Sequence, residues 1–230
     1  MNVSAVILAA GRGERMKTPR NKVYMPLLGL PVLSYSLRAF AKTGGIDEIV
    51  LVVRRGEEEK ARLVAQGSTL PVKITIGGKR RQDSSRAGIE AASGDIVLIH
   101  DAARPFLSPA LISRIIKCAK QYGACVPVIP MVDTVRYQDV DGFLSPDRVE
   151  RTGLLRMQTP QGFLRDQLLS ALRAVRETVT DDASAILARG GRVATVTGEE
   201  TNLKLTTKTD LLLGEALLRA GVIAQWERKG

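Results

Sequence analysis

The sequence contains few of the residues that build disulfide-stapled, metal-binding or base-stacking proteins. Its 230 residues include two cysteines, one histidine and one tryptophan, and aromatic residues make up only 4%. Cys118 and Cys125 match no metal-binding or redox spacing, so we expect two buried thiols and no disulfide framework. The scarcity of aromatic side chains argues against a surface on which nucleic-acid bases stack.

A long hydrophobic run is also missing. No stretch approaches the roughly 20 apolar residues that cross a bilayer, and no basic segment precedes the apolar start MNVSAVILAA, so we expect no signal peptide. These features predict a cytoplasmic protein without membrane contacts. The 44% hydrophobic and 25% charged residues are ordinary for a globular protein, and the chain is long enough to bury its own core.

Basic residues outnumber acidic residues by 34 to 24, which gives a formal charge of +10. Such an excess suits a nucleic acid, a membrane surface or an anionic substrate as the partner. The basic residues are scattered along the chain, with local clusters at 12–22 and 79–81. Because both clusters adjoin glycines, we expect a small anionic substrate and no nucleic acid.

Short apolar runs alternate with amphipathic segments along most of the chain. Strands rich in β-branched residues are predicted at 4–9, 48–53, 72–77, 95–100, 124–129 and 192–197. Helices are predicted at 32–43, 56–66, 81–93, 109–122, 165–178, 181–189 and 208–220. The alternation predicts an α/β fold, a single Rossmann-like and mostly parallel sheet flanked by helices, in one domain over 1–230. Such sheets bind ligands at the carboxyl ends of their strands.

The alternation stops between about 133 and 163. The segment DTVRYQDVDGFLSPDRVERTG is polar and carries a turn signal at Asp141-Gly142, which predicts a hairpin arm projecting from the sheet at about 134–151. The arm has too little apolar content to be a domain. Because a projecting arm needs a partner, we expect a homodimer in which a second copy of the chain supplies it.

A glycine loop follows the first predicted strand, in the pattern Gly11-x-Gly13. The third glycine of a dinucleotide-binding fingerprint is replaced by Met16, and the second strand ends in Val53-Arg54-Arg55 without the expected acidic residue. An NAD-linked reductase is therefore disfavoured. A Walker A loop is excluded because its Gly-Lys-Ser/Thr ending is absent.

Small and basic residues share this loop, which favours an anion as its ligand. Ala9, Ala10 and Gly11 let backbone amides approach an anion closely. Arg15 and Lys22 add positive charge, the first as a fork that matches phosphate oxygens and the second as a point charge. An ordinary turn with a solvated basic loop remains the alternative.

The loop LAAGRGERM and the following NKVYMPLLGLPVLSYSL resemble the signature of nucleotidyltransferases that join a nucleoside triphosphate to a sugar or polyol phosphate. Further motifs cover nearly the whole chain: GGKRRQDS, HDAARPF, DTV, RTGL, QTPQGF, TDDASA and NLKLTT. In this order they resemble the 2-C-methyl-D-erythritol 4-phosphate cytidylyltransferases of the isoprenoid pathway. Ribitol 5-phosphate cytidylyltransferases carry much the same motifs, and RTGL favours the erythritol enzymes.

The resemblance implies transfer of CMP from CTP to a polyol phosphate, with loss of pyrophosphate and with Mg²⁺ as cofactor. The attacking group is already an anion, so the reaction requires positioning and neutralisation of charge rather than a strong base. The single histidine, His100, therefore need not act as a general base. A nucleotide-binding or nucleic-acid-binding protein without turnover is the alternative from a different class.

The resemblance also implies roles for individual residues. The catalytic residues would be Arg15, Lys22 and Lys204. The nucleotide-binding residues would be Ala9, Ala10, Gly11, Gly13, Gly77, Gly78, Arg81, Ser84 and Asp101. The acceptor-binding residues would be Arg104, Thr134, Arg151, Thr159 and Thr180.

Several of these positions also have a plain structural interpretation. Lys204 is equally a surface lysine, and Gly77-Gly78 a turn that opens a helix. Thr180 followed by two aspartates is equally a helix N-cap. Thr134 and Arg151 flank the arm, and we expect an arm swapped across a two-fold axis to bring them to the neighbouring subunit's site.

Asp101 follows the strand DIVLIH and is the candidate Mg²⁺ ligand. A carboxylate at the carboxyl end of a strand, beside basic loops, suits Mg²⁺, whereas a turn or cap residue is the alternative. Relatives often place a second aspartate three residues before the catalytic lysine, and this chain has Thr201 there. Whether Glu199 or Glu200 replaces that carboxylate stays open from the sequence.

Overall fold

The computed structural model describes residues 1–11 and 21–222. Its strands are β1 (Val3–Leu8), β2 (Pro26–Leu27), β3 (Leu30–Pro31), β4 (Glu48–Val53), β5 (Val72–Ile76), β6 (Ile96–Asp101), β7 (Ala124–Pro130), β8 (Arg136–Gln138), β9 (Leu144–Arg148), β10 (Leu155–Met157), β11 (Gln161–Leu164) and β12 (Ala194–Thr197). The helices are α1 (Val32–Lys42), α2 (Glu58–Ala65), α3 (Arg81–Ala91), α4 (Pro109–Tyr122), α5 (Arg165–Ala174), α6 (Asp182–Leu187) and α7 (Lys208–Arg219), with a short 3-10 helix at Lys22–Tyr24.

The central sheet has its parallel strands in the order β5-β4-β1-β6. Beyond β6, the strand β11 runs antiparallel to both β6 and β7, β10 is antiparallel to β7, and β12 is parallel to β7. The predicted α/β fold with a mostly parallel sheet is confirmed. In β1, Leu8 pairs with Val52 on one side and Asp101 on the other, so the carboxyl ends of the central strands meet at one edge.

The segment predicted to leave the sheet at 133–163 does so only in part. Its first half forms the hairpin β8–β9, with Gly142 at φ +88° in the turn. Its second half returns to the sheet as β10 and β11, which corrects the extent of the irregular region. These strands are three and four residues long, too short for apolar periodicity to reveal them.

Alternating residues of the central strands build two apolar clusters, one on each face of the sheet. On one face the cluster includes Ile7 and Leu51 and is covered by α1, α2 and α4. On the other face it includes Val6 and Val52 and is covered by α3, α5 and α6. Each buried aliphatic side chain contributes about 1.5–3 kcal/mol relative to its exposed state, so this double burial fixes the strands and their ends.

Local signals set the bounds of α4 as predicted. Ser108 is the N-cap, its hydroxyl accepts the amide of Leu111 at 3.0 Å, and Pro109 takes the first helical position. Gly123, at φ +81°, ends the helix in the left-handed conformation that favours glycine. Cys118 and Cys125 are both free and buried, as expected.

A third apolar cluster brings the C-terminal part of the chain back towards the carboxyl edge of the sheet. Leu205 packs with Phe106 and with Leu218 of α7, and the Leu205 amide donates to the carbonyl of Ala103 at 2.8 Å. The loop after β12 is therefore held beside the turn that follows β6. Across the described residues, no helix has both the length and the apolar character needed to cross a membrane.

Candidate functional site

A cavity of about 520 Å³ opens at the carboxyl ends of β1, β4 and β5. The predicted nucleotide-binding residues that line it are Ala10, Gly11, Gly77, Gly78, Arg81 and Ser84. Four further basic side chains line it as well, namely Arg54, Arg55, Lys79 and Arg80. The cavity therefore combines small residues with a dense positive charge, as binding of a polyphosphate requires.

Gly77 allows the two loops of the cavity to approach closely. A Cβ atom at Gly77 would lie 2.7 Å from both the Cβ of Ala10 and the Oγ of Ser84, so no larger residue fits without displacement. The Ser84 hydroxyl accepts the amide of Gly78 at 3.2 Å and donates to the carbonyl of Arg80 at 3.3 Å. Ser84 therefore shapes the loop that precedes α3. The Gly77-Gly78 segment is both a turn before this helix and part of the cavity lining.

Two side chains hold the ends of the basic loop. Asn21 is buried and its amide group donates to the carbonyl of Ala9 at 2.8 Å and to a carboxylate oxygen of Glu57 at 2.9 Å. Arg54 donates to the carbonyl of Gly11 at 2.9 Å. Sequence reasoning assigned neither residue a role, although both were visible at the ends of recognised segments.

The predicted residues of the basic loop differ in where the structure places them. Gly13 and Arg15 lie outside the described residues. Lys22 directly follows the anchored Asn21, begins the 3-10 helix and is half-buried. Ala9 is buried and does not line the cavity, because its amide donates to the carbonyl of Val52 at 2.7 Å as an extension of the sheet.

Asp101 stands at the carboxyl end of β6 between two cationic side chains. Its Oδ2 accepts a hydrogen bond from the ammonium group of Lys204 at 2.6 Å, and its Oδ1 lies 3.3 Å from Nη2 of Arg81. Arg81 also reaches Asp182, with Nη1 2.6 Å from its Oδ2. The structure thus brings together Asp101, Arg81 and Lys204, which the sequence places far apart, and adds Asp182, which sequence reasoning treated only as part of a helix start.

The charges of this group determine its protonation. Burial alone would raise the pKa of Asp101, but the positive charges of Arg81 and Lys204 outweigh it and hold that pKa far below its usual range. Burial lowers the pKa of Arg81, and Asp182 and Asp101 more than compensate and raise it. Asp101 is therefore a carboxylate at every physiological pH.

Arg104 lies three residues beyond Asp101 and is half-buried. Its Nη1 donates to the carbonyl of Asn202 at 2.7 Å and its Nη2 to that of Met157 at 3.4 Å. Burial lowers the pKa of Arg104, although an arginine stays charged in proteins. The predicted acceptor-binding arginine is thus held in place by backbone carbonyls beside the Asp101 group.

His100 is fully buried and braces the site from behind. The carbonyl of Arg104 lies 3.1 Å from Nε2 of His100 and can only accept, so the proton of the neutral ring is assigned to Nε2. Nδ1 then accepts from the Thr159 hydroxyl at 3.1 Å, and that hydroxyl in turn accepts from the amide of Asp101, also at 3.1 Å. Burial lowers the pKa of His100 to about 4, so the ring is neutral near pH 7.

The hydroxyl of Thr159, a predicted acceptor-binding group, already makes two hydrogen bonds within the protein, and its assignment to the acceptor site stays a prediction. Thr159 is 5% exposed and its hydroxyl is engaged by Asp101 and His100. Thr180 is exposed, and the N-cap of α6 is Asp181, whose Oδ1 accepts the amide of Ser184 at 2.8 Å. The alternative of a Thr180 cap is therefore wrong by one residue.

Thr134 and Arg151 both lie exposed at the base of the arm. Arg151 donates to the carbonyl of Val132 at 2.5 Å, which ties the two ends of the arm together. Within the described part of the chain, neither side chain hydrogen-bonds to Asp101, Arg81 or Lys204. Their assignment to an acceptor site stays a prediction.

Neither glutamate after β12 takes the place of the missing second carboxylate. Glu199 accepts the Ser108 hydroxyl at 2.6 Å and lies 3.3 Å from Arg114, whereas Glu200 pairs with Arg156 at 3.1 Å. Both are engaged away from Asp101. Among residues 1–11 and 21–222, no three His, Cys, Asp or Glu side chains come together as a metal site.

Two buried amides that sequence reasoning did not assign connect the site's loops. Asn202 donates to the carbonyl of Thr159 at 2.9 Å, and Gln158 donates to that of Glu199 at 2.7 Å. Both stand inside motifs that were recognisable, QTPQGF and NLKLTT. The only sequence signal for these residues is that they are polar and lie inside the motifs. The hydrogen bonds between the two motifs are evident only from the fold.

Comparison with known proteins gives a consistent result over almost the full chain. The family model described as IspD, 2-C-methyl-D-erythritol 4-phosphate cytidylyltransferase, matches residues 3–220. A 2-C-methyl-D-erythritol 4-phosphate cytidylyltransferase from Pelotomaculum thermopropionicum is 40% identical over 226 residues, covering 95% of this chain and 94% of that protein.

Solved structures show the same similarity. The 2-C-methyl-D-erythritol 4-phosphate cytidylyltransferase of Thermus thermophilus is 34% identical with a TM-score of 0.78, over 95% of this chain and 100% of its own. The 4-diphosphocytidyl-2C-methyl-D-erythritol synthase of Anaerococcus prevotii is 29% identical with a TM-score of 0.84, over 95% and 96%.

Proposed function

Because the chain belongs to the 2-C-methyl-D-erythritol 4-phosphate cytidylyltransferase family, we propose that it transfers CMP from CTP to 2-C-methyl-D-erythritol 4-phosphate. The products are CDP-methylerythritol and pyrophosphate, in the synthesis of isoprenoid precursors. The observation that carries the proposal is the basic, glycine-lined cavity at the strand ends, next to the ionised Asp101 and its cationic partners. We also propose a cytoplasmic location, because CTP is an intracellular nucleotide.

The reaction is an in-line displacement at the α-phosphorus of CTP. An oxygen of the acceptor's phosphate forms the new P–O bond, and the bridging oxygen between the α- and β-phosphorus leaves with the bonding electron pair as pyrophosphate. The nucleophile carries no proton to remove. A buried and neutral His100 is compatible with this chemistry, since the site must supply positioning and positive charge.

The cationic side chains would provide that charge. Lys22 follows the anchored end of the basic loop, and Lys204 extends from the loop held against the turn after β6. Arg104, fixed by two backbone carbonyls, would bind the acceptor's phosphate. Arg15 keeps the triphosphate role implied by the resemblance and lies outside the described residues.

Asp101 would hold a divalent cation, for which we propose Mg²⁺. The residues fit this ion because Mg²⁺ commonly uses one or two carboxylates together with substrate phosphates and waters. Asp101 supplies one such ionised carboxylate, in contact with Arg81, which lines the cavity. When bound, the cation would neutralise charge on the phosphate oxygens during displacement.

An acceptor panel tests the proposed reaction. Pyrophosphate release is measured with CTP and, in turn, 2-C-methyl-D-erythritol 4-phosphate, ribitol 5-phosphate and glycerol 3-phosphate, with UTP replacing CTP as the nucleotide control. We expect the methylerythritol phosphate with CTP to give the highest kcat/KM. Faster turnover of ribitol 5-phosphate, or no release with any acceptor, would contradict the proposal.

The arm supports a homodimer as the working form. Tyr137, Val140, Phe143 and Leu144 are large apolar side chains exposed on this one hairpin, which is unusual for a surface that only contacts water. A second copy of the chain would cover them by a two-fold exchange of arms. Thr134 and Arg151, at the base of the arm, would then serve the acceptor site of the neighbouring subunit.

Mixing two inactive variants tests the exchange. An Arg151→Ala chain keeps Lys22, and a Lys22→Ala chain keeps Arg151, so a mixed dimer has one complete site. Random pairing then restores about a quarter of wild-type activity. No recovery in a mixture shown by sedimentation to contain mixed dimers would rule out a site shared between subunits.

A further inference from the structure

We infer that Asp182 is a positioning residue for the proposed cytidylyl transfer. It holds the Arg81 guanidinium away from full engagement with Asp101 and thereby leaves the second Asp101 oxygen, Oδ2, to cationic groups other than Arg81. The inference rests on the proposed function for its substrate. The carboxylates of Asp182 and Asp101 compete for the guanidinium group of Arg81.

The geometry shows how the guanidinium is shared. Nη1 of Arg81 lies 2.6 Å from Oδ2 of Asp182, whereas Nε and Nη2 both lie 3.3 Å from a single oxygen of Asp101, Oδ1. The short contact therefore belongs to Asp182 and the two long ones to Asp101. The other Asp101 oxygen, Oδ2, is left to the ammonium group of Lys204 at 2.6 Å.

The burial of Asp182 indicates that this contact is the main use of its charge. Asp182 is only 1% exposed, and within the described residues its Oδ1 is buried without a hydrogen-bond partner. Burying a carboxylate is costly unless an opposite charge compensates it. The usual reason for an aspartate at a helix start is capping, and Asp181 already caps α6.

Without the Asp182 charge, Asp101 would be the remaining carboxylate in contact with Arg81. The guanidinium fork matches a carboxylate through two parallel hydrogen bonds, so Arg81 would engage both oxygens of Asp101. That arrangement would displace Lys204 and exclude a divalent cation from the same carboxylate. Because Arg81 also lines the nucleotide cavity, loss of the Asp182 charge would weaken binding of the metal–nucleotide complex in addition to any effect on stability.

The test compares Asp182→Asn, which removes the charge at nearly constant shape, with Asp181→Asn as the matched control. Asp181 caps the same helix and touches Ser184 rather than Arg81. The readout is the dissociation constant of CTP by titration calorimetry, measured in Mg²⁺ and again in EDTA. We expect Mg²⁺ to enhance CTP affinity about tenfold less in Asp182→Asn than in the wild type, and the control to retain the enhancement.

A double variant separates positioning from folding. In Arg81→Gln/Asp182→Asn the competing guanidinium is also gone, so we expect the Mg²⁺ enhancement to return towards that of the wild type. Failure of the double variant to recover, an unchanged enhancement in Asp182→Asn, or an equal loss in Asp181→Asn would overturn the inference. Because binding is measured without an acceptor, these outcomes are distinct from failure of the proposed reaction, which the pyrophosphate assay reports.

Discussion

The hydroxyl of Thr159 lies 3.1 Å from Nδ1 of His100, the one histidine of the chain. The same hydroxyl accepts the amide of Asp101 at 3.1 Å, and the far side of the ring reaches the carbonyl of Arg104 at 3.1 Å. One buried threonine–histidine pair thus fixes the backbone that presents both Asp101 and Arg104.

Thr159→Val should destabilise the protein, because it leaves the buried amide of Asp101 and Nδ1 of His100 without a partner. Unsatisfied buried groups of this kind cost about 1–3 kcal/mol each. Thr159→Ser keeps the hydroxyl and should stay close to the wild type. Urea unfolding measures the difference. A Thr159→Val protein of unchanged stability with a raised KM for the acceptor alone would instead mean that the hydroxyl binds substrate.

Gly77→Ala should weaken nucleotide binding, because its Cβ would lie 2.7 Å from the Cβ of Ala10 and the Oγ of Ser84. Overpacking of this kind costs about 1–3 kcal/mol, so we expect the KM for CTP to rise by about tenfold or more. Gly67→Ala is the control, since a Cβ there meets nothing within 4 Å. Equal KM values in the two variants would show that the close approach of the loops does not shape the cavity.

Lys204→Met should reduce turnover while leaving the fold intact. The substitution keeps the length of the side chain and removes the charge that lies 2.6 Å from Asp101. Loss of one preorganised electrostatic contact lowers kcat by about 10²–10³. Lys117→Met, on the exposed face of α4, controls for the overall change in charge. A Lys204→Met enzyme with wild-type kcat would remove Lys204 from the catalytic group.

Glu48 should make stability depend on acidic pH. It begins β4 at the amino edge of the sheet, opposite the cavity, and lies 2.7 Å from Lys73. Burial raises its pKa, but hydrogen bonds led by that from Lys73 outweigh burial and lower the pKa from 4.5 to about 2. The depressed pKa contributes up to about 3 kcal/mol, fully present above pH 4.5 and lost as the pH falls towards 2.

The measurement for Glu48 is the difference in unfolding free energy between wild type and Glu48→Gln, taken by urea at pH 6 and at successively lower pH. We expect that difference to shrink as the pH falls below 4.5 and the wild type loses its advantage. A difference independent of pH would show that the carboxylate is not paired in solution. Because Glu48 lies at the opposite edge, kcat at pH 7 should be the same in both proteins.

Much of the fold was predictable because its determinants are local. The apolar run of β4 and the Ser108-Pro109 start of α4 appear at the residues that the sequence indicates. Parallel order follows from the alternation of strands and helices, and Leu8 and Asp101 end paired strands at the ligand-binding edge. The short strands β10 and β11 were missed because a few residues carry too little periodicity to identify their pairing.

The sequence by itself determined the class of fold, the glycine and basic residues near the carboxyl ends of the strands, and a resemblance that the comparisons confirmed. Only the tertiary structure decided which charges meet. Arg81 and Asp182 are 101 positions apart, and Asp101 and Lys204 are 103 apart. Such contacts depend on how tertiary packing positions each loop, as in the hydrogen bond from Leu205 to Ala103. Local patterns of polarity in the sequence do not specify these positions.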